Sequence, residues 1–186
     1  ERYIAWHPAR GREVVGTEVP FDVEVLLSDD TVRLVGTIDR IERDGNGHLH
    51  VIDFKTGKSL PTKDAMREHS QLGVYQAALL AGAAADLVGP SPVVAGAELV
   101  YLRVQDGKGG PYPKVLSQAS ITERPWPDDE GAPETSSERS WIHQQLARAA
   151  RQLRAEEFPA TRNSACRFCA FAPDCPALNT RTAVVN

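Results

Sequence analysis

Three charged residues in two short segments carry the strongest chemical signal in this chain. Asp39 lies in residues 36–41 (GTIDRI), and Asp53 and Lys55 lie in residues 51–57 (VIDFKTG). The apolar, β-branched start of the second segment and its Thr-Gly end predict a strand. Side chains two apart on a strand share a face, so Asp53 and Lys55 project together. Two carboxylates beside an ammonium group could hold a divalent metal and activate water, as a metal-dependent phosphodiesterase requires.

The two carboxylates flank a predicted β-hairpin. Residues 44–47 (DGNG) are a strong hairpin turn signal between strand patterns at 32–41 and 48–54. Apolar alternation over 19–27 predicts a further strand, so three antiparallel strands are expected. The turn folds one strand back on the other, which can bring the two carboxylates together.

The rest of the sequence predicts an α/β (α+β) domain. Apolar residues at helical spacing and apolar runs between turn signals define the remaining elements. These are a helix over 62–84, a strand over 93–104, an edge strand over 111–121, a loop over 122–133 and a helix over 137–157. The order βββ-α-β(β)-α predicts a mixed β-sheet flanked by helices.

Composition limits the function classes. The chain has 186 residues, enough for one domain with a substantial core, and its 41% hydrophobic and 25% charged content is typical of globular proteins. No apolar run approaches the roughly 20 residues that span a bilayer, so we expect no membrane partner. A net charge of −4 argues against a free-standing, high-affinity DNA binder. It is compatible with a nuclease to which another domain delivers DNA.

The cysteines form one cluster near the end of the sequence, Cys166-x2-Cys169-x5-Cys175. An odd number in one cluster is a poor disulfide framework, which favours a cytoplasmic protein. Two cysteines three apart with a third close by are a common metal-ligand spacing, although a fourth ligand is missing. Three thiols without a partner are the alternative, and zinc with His7 or another His as fourth ligand is another.

The chain starts at Glu1-Arg2-Tyr3, without an initiator Met or a signal-peptide pattern. We interpret it as a piece of a longer protein, so that partners of these residues would lie upstream. We predict a nuclease core over residues 1–160 that lacks its N-terminal part. A cysteine-containing tail over 161–186 is expected to pack on the same domain.

Three motifs together resemble the RecB-like branch of the PD-(D/E)xK nuclease superfamily. They are Gly36-x-x-Asp39-Arg40-Ile41, Asp53-x-Lys55-Thr56-Gly57 and Gln71-x-x-x-Tyr75, in order and at the family's spacing, within residues 18–75. The resemblance is to the iron–sulfur type found in bacterial AddB and AdnAB helicase–nucleases. It implies a restriction-endonuclease-like core and a Mg²⁺- or Mn²⁺-dependent deoxyribonuclease.

The resemblance also implies roles for individual residues. Two carboxylates and one main-chain carbonyl would bind the metal, at Asp39, Asp53 and Phe54. Lys55 would be catalytic, and Gln71 and Tyr75 on the following helix would position the active site or the DNA. Gln71 and Tyr75 share a helix face because they are four residues apart. A purely structural role for Tyr75 in the core is the alternative.

For the tail, the resemblance implies that Cys166, Cys169 and Cys175 bind a [4Fe-4S] cluster in the full-length protein. The fourth cysteine would lie upstream of this chain. The family also has a histidine ligand before the first Asp, where this sequence offers only His7. Pro8 leaves little room for a helix there, so the true ligand is expected upstream. Glu18 is a further acidic candidate.

The resemblance therefore implies the exonuclease domain of a bacterial helicase–nuclease in double-strand break repair and recombination. Its partners would be single-stranded DNA, helicase domains of the same polypeptide and a partner helicase–nuclease subunit. A catalytically silent structural or DNA-guiding module is one alternative. A stand-alone nuclease of the same fold, acting on RNA or on phage-defence intermediates, is the other.

Overall fold

The computed structural model describes residues 1–27, 30–107, 109–123 and 140–178. In these ranges the strands are β1 (Glu13–Leu26), β2 (Thr31–Arg43), β3 (Leu49–Lys55), β4 (Val94–Gln105) and β5 (Pro113–Ala119). The helices are α1 (Arg2–Ala9), α2 (Lys63–Arg67), α3 (Ser70–Leu80), α4 (Ala85–Val88) and α5 (Trp141–Arg154). Short 3₁₀ turns follow at Ser164–Phe168 and Ala172–Asp174. The chain divides into two compact units, Glu1–Arg148 and Ala149–Asn186, with the boundary inside α5.

The strands form one sheet in the order β1-β2-β3-β4-β5. Neighbouring strands are antiparallel except β3 and β4, which are parallel. A parallel pair requires a crossover connection, and α2, α3 and α4 provide it between β3 and β4. The predicted mixed sheet with flanking helices is therefore confirmed.

Both faces of the central strands are buried. Ile41, Val51 and Leu99 lie on the face that packs against Leu72 and Leu79 of α3. The opposite face carries the second cluster, in which Trp6 of α1 contacts Ile52 of β3 and Val100 of β4. This double burial explains the apolar run at residues 99–102 in β4.

The prediction of one continuous helix over 62–84 is wrong, because the structure has separate helices there. α2 ends at Arg67 and α3 begins after His69, which has extended backbone angles (φ −69°, ψ 105°). Thr62 starts α2 by accepting a hydrogen bond from the backbone N–H of Ala65 at 3.2 Å. Gly82, with φ of 97°, follows the end of α3 because glycine tolerates the left-handed region.

The five strand predictions are confirmed, including β5 at the sheet edge. The expectation that there is little room for a helix before Pro8 is wrong, because α1 contains both His7 and Pro8. Most of the predicted loop over 122–133 and the first residues of the predicted last helix lie outside the described residues.

Among the helices that the structure describes, none is both long and apolar enough to cross a bilayer.

Asp44 organises the turn between β2 and β3. Its Oδ1 accepts hydrogen bonds from the backbone N–H groups of Asn46 at 2.9 Å and His48 at 3.0 Å. Its Oδ2 lies 3.0 Å from His50 Nε2. The hydrogen bond from His50, and then those from the two backbone groups, lower the pKa of Asp44 to about 2.

We predict that Asp44→Ala lowers the melting temperature at neutral pH, because three hydrogen bonds to one carboxylate are lost. Because its pKa is lowered, the carboxylate stabilises the fold fully when the pH is above its ordinary pKa of 3.8. That contribution disappears as the pH falls through about 2. Thermal denaturation followed by circular dichroism should show a difference that narrows in acid. Equal melting temperatures at neutral pH would contradict this role, and Asp44→Asn, which keeps Oδ1, should lose less.

Candidate active site

The two carboxylates lie at the point where the β2–β3 pairing ends. Arg40↔Ile52 is the last pair of the ladder, and Asp39 and Asp53 are the next residues on each strand. The Phe54 backbone N–H donates a hydrogen bond of 2.8 Å to Asp39 Oδ2. The Asp39 side chain thus ties β2 to β3 beyond the last backbone pair.

Lys55 connects β3 to α3. Its Nζ lies 2.7 Å from Asp53 Oδ2 and donates a 2.7 Å hydrogen bond to Gln71 Oε1. Gln71 Nε2 in turn donates to the Tyr75 hydroxyl at 3.0 Å. The Tyr75 ring packs edge-on against Phe21, with 6.1 Å between ring centroids. Tyr75 therefore both orients Gln71 and belongs to the core, so the two alternatives for it are compatible.

The five side chains predicted to form the site are brought together in space. A hydrogen bond or ion pair joins Asp53, Lys55, Gln71 and Tyr75 in series. Asp39 is attached through the backbone of Phe54, and its charge acts on Asp53. Phe54 contributes its N–H in this structure. The metal-binding role of its carbonyl stays a prediction.

Asp53 is the buried member of the carboxylate pair, at 2% exposure. Burial raises its pKa, the Lys55 ammonium opposes that rise, and the negative charge of Asp39 adds to it. Its Oδ2 is fully buried and, among the described residues, has the ion-pair contact with Lys55 but no hydrogen bond of good geometry. A buried carboxylate oxygen of this kind is suited to a cation.

The donor set fits a hard divalent cation. Mg²⁺ and Mn²⁺ prefer oxygen ligands, and Mg²⁺ commonly keeps several waters while binding one or two carboxylates. Asp39 and Asp53 would provide those two carboxylates. Within the described ranges, no group of three His, Cys, Asp or Glu side chains is arranged to hold a metal. The further ligand predicted from the sequence is the main-chain carbonyl of Phe54.

We predict that Asp53→Asn raises the melting temperature of the metal-free protein at neutral pH by a few degrees. Because its pKa is raised, Asp53 stabilises the fold when the pH is below the ordinary pKa of 3.8. This contribution is lost as the pH rises through the pKa of the folded state. Asparagine removes the cost of the buried charge. Calorimetric scans in EDTA should show the two melting temperatures converging in acid. A less stable Asp53→Asn at neutral pH would contradict the raised pKa.

Two residues that feel the charges of Asp53 and Lys55, His69 and Tyr101, were not identified from the sequence. His69, directly before α3, has a buried Nδ1 with no hydrogen-bond partner in the described part of the chain. Burial, and then the charge of Lys55, lower the pKa of His69. Tyr101 pairs with Lys55 in the parallel β3–β4 register, and burial raises its pKa. The position of His69, two residues before Gln71, is a sequence signal that could have identified it. Tyr101 has no such signal, because only the pairing of β3 with β4 places it beside Lys55.

His7 lies in α1 and contacts Arg40, the residue after Asp39. His7 Nδ1 is 2.7 Å from Arg40 Nη2, and the Tyr3 hydroxyl accepts a 2.7 Å hydrogen bond from Arg40 Nη1. Because a guanidinium only donates, His7 Nδ1 is the acceptor. Glu18 is exposed and has φ of 48°.

Buried ion pairs fix α1 and the chain after it to the sheet. Glu42, fully buried, lies 2.5 Å from Arg10 Nε and 2.8 Å from Arg40 Nη2. Glu98 of β4 lies 2.7 Å from Arg10 Nη2 and 3.1 Å from Arg12 Nη1. The Arg10 guanidinium also stacks over the Trp6 ring at 4.3 Å. This network holds β2 in place one residue from Asp39.

The three cysteines are free thiols in the second unit. Cys166 Sγ accepts a hydrogen bond from the Asn163 backbone N–H at 3.3 Å, and Cys169 is exposed. In the described ranges they are not arranged as a three-ligand metal group. Iron–sulfur binding by Cys166, Cys169 and Cys175 stays a prediction, as does the packing of the tail on the core.

The mixed sheet and the charged set beside the end of the β2–β3 pairing agree with a nuclease-type phosphodiester hydrolase. The sequence model of the PD-(D/E)XK nuclease superfamily matches residues 1–176, and the chain belongs to this superfamily. The comparison with curated proteins found no match. Among solved structures, the chain is similar to one titled "Crystal structure of SSO0001", with 19% identity and a TM-score of 0.48. The similarity covers 89% of this chain and 62% of that one.

Proposed function

We propose that this chain is a Mg²⁺- or Mn²⁺-dependent DNA nuclease domain of the RecB-like type. The observation that carries the proposal is the connected set of Asp53, Lys55, Gln71 and Tyr75 beside Asp39. The set occurs in a chain of the PD-(D/E)XK superfamily and lies at the end of the β2–β3 pairing.

The side chains divide the catalytic work. Asp39 and Asp53 would hold a divalent cation, which would supply positive charge to the scissile phosphate and make a bound water more acidic. Lys55 has three N–H donors, of which one donates to Gln71, and its charge forms the ion pair with Asp53. A remaining N–H can donate to the attacking water or to the phosphate in the transition state. Tyr75 fixes the amide of Gln71, which in turn fixes the direction of the ammonium group.

We place the domain in a bacterial, cytoplasmic helicase–nuclease that processes double-strand DNA ends for repair and recombination. The acidic balance of the chain supports delivery of single-stranded DNA by helicase domains of the same polypeptide. A partner helicase–nuclease subunit would complete the complex. In the full-length protein, Cys166, Cys169 and Cys175 would bind a [4Fe-4S] cluster with an upstream cysteine, which their spacing supports.

A second candidate is a catalytically silent module that guides DNA. The absence of a third metal-ligating side chain beside Asp39 and Asp53, within the described residues, favours it. Such a module would bind Mn²⁺ and DNA without cleaving DNA.

Degradation of end-labelled strands of matched sequence tests the proposal. We expect single-stranded DNA to be degraded with Mn²⁺ or Mg²⁺, with little degradation in EDTA or by Asp39→Asn. Degradation of RNA in preference to DNA would support the stand-alone nuclease instead. Mn²⁺ binding without any cleavage would support the silent module.

A further inference from the structure

Two glutamines form a buried amide pair behind the active site. Gln76 of α3 is fully buried and Gln118 of β5 is 4% exposed. Gln76 Nε2 donates a 3.0 Å hydrogen bond to Gln118 Oε1, and Gln76 Oε1 accepts one of 3.1 Å from the Ile121 N–H. Buried amides are costly unless they are hydrogen-bonded, so this pair holds α3 and the end of β5 in a defined arrangement.

Gln118 also binds the corner between α2 and α3. Its Nε2 lies 3.2 Å from the Met66 carbonyl oxygen, 3.4 Å from that of Arg67 and 3.2 Å from that of His69. Three acceptors around one nitrogen fix the orientation of the amide, because only the NH₂ group can face them. The last carbonyls of a helix have no partner within the helix, and Gln118 satisfies those at the end of α2.

This corner decides where α3 begins. His69 makes no side-chain cap to α3, but its carbonyl accepts the first hydrogen bond of the helix, from Gly73 N–H at 3.0 Å. The same carbonyl is held by Gln118. Gln71 lies in the first turn after it, with its amide 2.7 Å from Lys55 Nζ. A displacement of the corner therefore moves Gln71 relative to Lys55.

We propose that Gln118 is a positioning residue of the active site. It acts through the α2–α3 corner and sets the point at which Gln71 holds Lys55. Gln118 itself does not touch substrate or metal. The proposal rests on the proposed function, since it assigns the set around Lys55 a catalytic role.

The first test uses Gln118→Met, which keeps the length of the side chain and removes the amide. Because small misplacements at a reacting centre are costly, we expect kcat to fall about tenfold while KM and Mn²⁺ affinity stay unchanged. The loss should not add to that of Gln71→Ala in the double variant, because both act on the same contact. An additive double variant would overturn the proposal, since it would show that Gln118 acts independently of Gln71.

The matched control is Ser120→Ala, near the same end of β5. Ser120 is 3% exposed, and its hydroxyl donates a 2.6 Å hydrogen bond to the Val94 carbonyl, away from the corner. The substitution removes this hydrogen bond and the contacts of the hydroxyl with Thr122, so it should lower stability without changing kcat. All variants are compared at a temperature at which circular dichroism shows them folded. Gln118→Glu is the second variant: its carboxylate can accept from Gln76 but cannot donate to the corner, so kcat should fall as in Gln118→Met.

An NMR measurement separates this inference from the proposed function. With ¹³Cε-labelled lysine, the Lys55 signal should shift in both Gln118→Met and Gln71→Ala and stay in place in Ser120→Ala. A Lys55 signal that is unchanged in Gln118→Met would overturn the inference even if the protein cleaves DNA. Failure of the wild type to cleave DNA would overturn the proposed function, and the NMR comparison would still decide whether Gln118 sets the position of Lys55.

Discussion

Replacing Lys55 with Met should lower kcat for DNA cleavage by about 10²–10³-fold, the range found when one preorganised transition-state donor is removed. The substitution keeps most of the aliphatic stem and removes only the ammonium group. Asp39 and Asp53 remain, and Asp53 Oδ2 is freed from its 2.7 Å contact with Nζ. Mn²⁺ should therefore bind as tightly as in the wild type, or more tightly. Steady-state kinetics and Mn²⁺ titration calorimetry measure the two effects separately.

The control for this substitution is Lys58→Met, which changes an exposed lysine three residues along the chain. It alters the net charge equally, so it should leave both kcat and Mn²⁺ affinity unchanged. Wild-type cleavage by Lys55→Met would remove Lys55 from the mechanism. Loss of Mn²⁺ binding in Lys55→Met would indicate that Lys55 supports the metal site and not the reaction.

Replacing Glu42 with Ala should lower the free energy of unfolding by about 3–5 kcal/mol, the usual cost of removing one partner of a buried ion pair. Glu42 is fully buried and lies within 4 Å of three arginines, Arg10, Arg12 and Arg40. Without it, Arg40 loses its carboxylate and Arg10 keeps only Glu98. Denaturation in urea, followed by tryptophan fluorescence, measures the change.

Glu13→Ala is the matched control, because Glu13 of β1 forms an exposed pair at 3.3 Å with Arg43 of β2, the residue after Glu42. An exposed pair contributes about 0–1 kcal/mol, so this variant should remain close to the wild type. If both substitutions lowered the free energy of unfolding by a similar amount, the ion pairs of Glu42 would not behave as buried ones.

The parts of the fold that depend on local pattern could be predicted from the sequence. Alternation over residues 19–27 and the turn at residues 44–47 define the first three strands without reference to the rest of the chain. The spacing of Asp53 and Lys55 places them on one face of a strand, and the ion pair between them agrees with that prediction.

The parts that depend on distant contacts could not be predicted. α1 contains a proline and is held by ion pairs from Arg10 to Glu42 and Glu98, which lie far along the chain. At the break between α2 and α3, the Met66 and His69 carbonyls accept hydrogen bonds from Gln118, about 50 residues later. From the sequence alone, Glu42 is expected to be a surface residue of a strand, because its three arginine partners are distant or unrecognised in the sequence. No local signal marks these features, because their energy comes from burial and pairing in the folded state.

The central claim is that Asp39 and Asp53 hold a divalent cation beside Lys55. Titration calorimetry with Mn²⁺ tests it most directly, using the wild type, Asp39→Asn and Asp53→Asn. The Asp53→Asn variant suits this test because we expect it to be at least as stable as the wild type, so a loss of binding cannot be attributed to unfolding. The account predicts saturable Mn²⁺ binding by the wild type that is lost in both variants. Binding that survives Asp53→Asn unchanged would contradict it.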